Sequence, residues 1–106
     1  MLRFRNDNER AAWALAESLA ERGRAMMAQA ESALEAFAIG KELNRQRCSR
    51  RGIGATDAEI RWSETSPARK ALAENSFHVS QAMMYYAAAA AHYSRALYLR
   101  CHDMRP

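Results

Sequence analysis

From residue 12 to residue 40, small or apolar side chains recur every three or four positions: Ala12, Ala16, Leu19, Gly23, Met26, Ala30, Ala33, Phe37 and Gly40. A second series has the same spacing: Leu72, Ser76, Val79, Met83, Tyr86, Ala90, Tyr93 and Leu97. Such spacing keeps one stripe of a helix turned toward a partner helix over many turns. The pattern predicts a helix over about 8–48 and another over about 67–102, joined by a basic turn at 49–56 and a short helix over about 57–63.

Local signals set those boundaries. Asn6, Asp7 and Asn8 offer N-cap side chains, and no proline interrupts the chain from there to the RRGIGAT segment, where Gly52 and Gly54 punctuate. Thr56 and Glu59 form a T-x-x-E pattern, which reads as a capping box. Pro67 after Ser66 marks a second start beyond a corner at 64–66, because proline suits the first helical turn. The expected fold is one all-α domain, an antiparallel helical hairpin in which a stripe of small residues meets a larger one. Met83, Tyr86, Ala90, Tyr93 and Leu97 are the expected packing seam. Trp13, Tyr85, Ala87, Ala88, Ala89 and Ala91 fall outside the two stripes. A second apolar face of this kind fits two hairpins pairing into a four-helix bundle, so a homodimer is expected.

Composition reinforces that expectation. Alanine outnumbers Leu, Ile, Val and Phe together. Alanine is the best helix former but buries little area, so the helices should be stable and the core thin. A short chain with a thin core gains from burial against a partner. The longest run without Asp, Glu, Lys or Arg is residues 75–94, but it holds Asn75, His78, Gln81 and His92 among alanines. A membrane span needs far more Leu, Ile and Val, so no membrane role is expected. The opening MLRFRNDNER carries no apolar leader core, and the expected location is cytoplasmic.

Charge is concentrated. Lys41, Arg45, Arg47, Arg50 and Arg51 stand against Glu42, five minus one, which equals the net charge of +4 for the whole chain. Two such cations would suffice to complement the macrodipole at a helix C-terminus. All five are therefore candidate partner-binding residues, for an acidic protein surface or for the phosphates of nucleic acid. No aromatic interleaves with them, and Trp62 is the nearby ring that could stack on a base.

Catalytic chemistry finds little support. There is no glycine-rich phosphate loop, nucleophile elbow or pair of carboxylates at useful spacing. His78 and His92 lie about 21 Å apart along a helix, too far to share a site. Cys48 and Cys101 fall at opposite ends of the expected hairpin, which predicts two free thiols, and no metal-ligand spacing occurs. No catalytic residue, metal or cofactor is expected. The function read from the sequence is a non-catalytic accessory protein acting by protein–protein interaction and self-association. Nucleic-acid binding through residues 41–51 is the alternative.

The segment EIRWSETSPARKALAEN, residues 59–75, resembles a recurrent stretch in small uncharacterised proteins of actinobacteria and their phages. That resemblance implies a phage or prophage origin, and with it a host or virion protein as the partner. The length and hairpin plan also resemble the WXG100 class. Membership is excluded, because Gly52-Ile53-Gly54 stands where that class has W-x-G, and His102 follows Tyr98 where an acid is required.

Overall fold

The computed structural model describes Phe4 and residues 6–102. Among these residues the chain forms three helices and no strand: α1 (Asp7–Arg50), α2 (Ala55–Ser63) and α3 (Ser66–Cys101). The two long helices pack against each other, as the periodicity predicts.

The helix ends follow from side-chain chemistry. Asn6 caps α1: its Oδ1 accepts from the Glu9 backbone N–H at 2.7 Å, and its carbonyl accepts from Arg10 at 3.2 Å. At the other end Gly52 takes φ +77°, and the Ile53 and Gly52 amides donate back to the Cys48 and Ser49 carbonyls. This is a Schellman stop, and glycine suits its left-handed residue because no Cβ meets the backbone there. Two of the last carbonyls of α1, those of Cys48 and Ser49, are thus satisfied by backbone.

The start of α2 differs from the capping-box expectation. Gly54 is the N-cap and makes no side-chain cap bond, so Thr56 lies inside the first turn. Glu59 instead reaches α1, pairing with Lys41 at 2.8 Å. For α3 the cap is Thr65. Its hydroxyl accepts from the Ala68 N–H at 3.3 Å and donates to the Trp62 carbonyl at 2.7 Å. Pro67 sits in the first turn, where its missing N–H leaves no bond unmade.

Contacts group the chain into two compact units, one running through Met26 and resuming at Ser80, the other Met27–Val79. In the first, α1 and α3 run antiparallel. Glu9 accepts from Arg100 Nε at 2.7 Å, Trp13 meets Tyr93 edge-on at 4.8 Å between ring centroids, and Gly23 faces Tyr86. The antiparallel pairing brings an acid in the first turn of α1 beside a base in the last turn of α3, where each also complements its own helix dipole. In the second unit the Asn75 side chain donates to the Ala30 carbonyl and the Asn44 side chain to the Ala58 carbonyl, both at 2.8 Å. These bonds tie α3 and α2 to the backbone of α1.

The core is built almost entirely from alanine. Ala12, Ala16, Ala20, Ala30 and Ala33 of α1 are buried, and so are Ala68, Ala71, Ala82, Ala89 and Ala96 of α3. The α1 stripe matches the sequence pattern. On α3 the buried stripe lies one residue earlier than expected, which is about 100° around the helix. Met83, Ala90 and Leu97 are exposed, whereas Tyr86 and Tyr93 are half-buried along the flank of the seam. The expected small-against-large pairing holds where Gly23 faces Tyr86, but the fully buried stripe of α3 is small like that of α1. Two alanine stripes let the backbones approach closely, and the large side chains fold over the edges.

Two glycines of α1 show how close the packing is. A Cβ added at Gly23 would lie 2.7 Å from the Tyr86 ring, and one at Gly40 would lie 2.7 Å from Cζ2 of the buried Trp62. Alanine normally gains about 1 kcal/mol over glycine inside a helix. At Gly40 the ring that the methyl meets is buried rather than at the surface, and overpacking costs roughly 1–3 kcal/mol. Gly40→Ala should therefore lower the thermal midpoint despite its better propensity, and lower it more than Gly23→Ala, where a half-buried tyrosine can swing outward. A rise in midpoint for Gly40→Ala by calorimetry would refute the close packing.

Candidate functional site

The basic corner lies within the second unit and is assembled from the end of α1, the glycine stop, α2 and the start of α3. The structure divides the five sequence-predicted cations into two sets. Lys41 and Arg45 have partners: Lys41 bonds Glu59, and Arg45 makes a two-pronged contact with Glu42 at 2.6 and 2.9 Å. Arg45, and then Gln46, hold the Glu42 carboxyl down to about 2 by hydrogen bonding its charged form. These groups line a shallow cavity of about 180 Å³ with Ala38 and Ala55, and its charges are largely compensated.

Arg47 and Arg51 belong to a different cavity, about 290 Å³, together with Asn44, Cys48, Ile53, Arg61 and Thr65. Arg61 comes from α2 and was missed by sequence reasoning, which followed a continuous basic run and stopped at residue 51. The signal that could have found it is the Schellman turn, which folds α2 back beside the end of α1. Arg50 is exposed and lines neither cavity. Among the described residues, the side chains of Arg47, Arg51 and Arg61 make no ion pair and no hydrogen bond; the ion pairs present involve other cations. Nor do the Cys48 and Ser49 carbonyls need them, since backbone amides already satisfy both.

Trp62 is not available to stack on a base. It is only 7% exposed, packs on Gly40, and sits 5.6 Å from the Phe37 ring. Its indole N–H and the Nδ1 of His78 are buried without a hydrogen-bond partner. Among the described residues no group of three His, Cys, Asp or Glu side chains could hold a metal ion, and both cysteines are free thiols, Cys48 buried and Cys101 exposed. No described helix is long and apolar enough to cross a membrane.

The other candidate surface is the outward side of α3 in the first unit. From residue 80 to residue 94 this helix carries no Asp, Glu, Lys or Arg. Met83 is 61% exposed, Met84 66%, Leu97 55% and Tyr98 60%. The sequence-predicted seam thus separates: Tyr86 and Tyr93 cover the alanine core, while Met83, Ala90 and Leu97 face outward. Burial first, and then the Glu17 carboxylate, raise the Tyr93 phenol above its ordinary value. No protein-family profile, curated protein or solved structure matches this chain.

Proposed function

We propose that this protein is a non-catalytic interaction module that works as a homodimer, two copies pairing through the outward face of α3 into a four-helix bundle. The observation that supports the reading is the inverted distribution of apolar side chains. The interior of the first unit is alanine, whereas Met83 and Met84 lie outside it in a stretch without charge from residue 80 to residue 94, and Leu97 is exposed just beyond that stretch. A helix face in water ordinarily carries charged residues opposite its buried stripe. Methionine packs adaptably against varied surfaces. A second copy supplies the same uncharged face and needs no complementary charge, which is what a two-fold interface requires. The basic corner is left free in such a dimer to engage an acidic surface of a host or virion protein. Nucleic-acid binding is the weaker alternative, because the one nearby aromatic ring is buried.

Light scattering at high micromolar concentration tests the reading. The expected mass is twice the 12.0 kDa of the chain. Met83→Lys with Leu97→Lys should return it to that of one chain without loss of helix content, since both positions are exposed. A wild-type mass of one chain would overturn the proposal.

A further inference from the structure

The cavity bounded by Arg47, Arg51 and Arg61 has a property that self-association does not explain. Helix α1, the turn that follows it and α2 each contribute one arginine to the lining of one recess of about 290 Å³, near the small end of ligand-pocket sizes. The other polar wall groups are already engaged. Thr65 caps α3 and bonds the Trp62 carbonyl, and Asn44 donates to Ala58. Those bonds hold the wall in place, and the arginines keep their donors unspent. Like charges gathered around one recess repel each other in the free protein, so a bound anion relieves repulsion as well as gaining hydrogen bonds.

We propose that this recess binds the phosphate group of a small phosphorylated molecule. One carboxylate carries a single charge and is matched by the fork of one arginine. A terminal phosphate carries close to two charges at neutral pH and presents three acceptor oxygens, which suits a recess lined by three arginines. The phosphates of a DNA backbone carry one charge each and are bound along a track. This recess is instead walled by Ile53 and Cys48 as well as by the arginines. The proposal is independent of the dimer, and it competes with an acidic protein surface for the same corner.

Calorimetric titration with pyrophosphate, at ionic strength held constant with sodium chloride, tests it. Saturable binding is expected for the wild type. Arg61→Gln should weaken it at least tenfold, whereas Arg50→Gln, outside the recess, should change it less than twofold. Arg47→Gln, on the other helix, repeats the test if Arg61→Gln does not fold, and Arg61→Lys separates the fork from the charge. Heat no larger than that of chloride alone would overturn the site, as would equal weakening by Arg50→Gln and Arg61→Gln. Duplex DNA or a polyglutamate peptide that binds and resists displacement by pyrophosphate would also overturn it, in favour of a nucleic-acid or acidic-protein surface.

Discussion

Trp62→Ala is expected to lower stability by about 3 kcal/mol, and by calorimetry to lower the thermal midpoint by at least about 12 °C for a domain of this size. Trp62 is the largest side chain buried among the described residues, in a core otherwise made of alanine and Cys48. Its removal leaves an indole-sized space between Gly40 and Phe37 that neither residue can fill. The loss falls at the lower end of the usual 3–5 kcal/mol range because the indole N–H is buried without a partner, and deleting it removes that cost. The same variant should reverse the sign of the Gly40→Ala effect. With the indole gone, the added methyl meets open space and the helix-propensity gain of about 1 kcal/mol returns. An unchanged Gly40→Ala effect in the Trp62→Ala background would show that the two positions are not coupled.

Ala82→Leu is expected to be similarly severe, costing about 3 kcal/mol, at the upper end of overpacking effects. Ala82 is fully buried on α3, and the α1 stripe of its unit is Ala12, Ala16, Ala20 and Gly23. A leucine there has no small neighbour left to shrink, so the two backbones must separate and every alanine contact in the unit loosens. Ala25→Leu on the exposed side of α1 is the matching control and should stay within about 0.5 kcal/mol. Chemical denaturation of the two variants distinguishes close small-against-small packing from a loose seam. Equal stability of the two would contradict it.

Much of the helical layout is legible in the amino-acid sequence. The starts of α1 and α3 lie within one residue of their expected places, and α1 ends two residues later than expected, at the Gly52 stop. Such signals depend on bonds between near neighbours in the chain. The T-x-x-E pattern at Thr56 misleads because the same Glu59 has a stronger use, as the partner of Lys41 on another helix. The inward face of α3 differs from expectation by one residue for a related reason. Choosing the larger side chains for the seam assumes that large apolar groups go inside, yet in a helix this rich in alanine the closest approach is made by the smallest ones. The candidate site is half legible: the basic run stands out, but its division into paired Lys41 and Arg45, solitary Arg50, and the Arg47–Arg51 pair with Arg61 does not.

Sequence alone therefore determined the three helices, the starts of α1 and α3, the small stripe on α1 and the concentration of positive charge before the turn. Each of these is written in spacing and in contacts a few residues apart. Tertiary structure decided which face of α3 turns inward, that Trp62 is buried on Gly40, and that Arg61 joins Arg47 of α1 and Arg51 of the turn around one recess. Those outcomes depend on how near two backbones come, and that distance belongs to no residue taken singly.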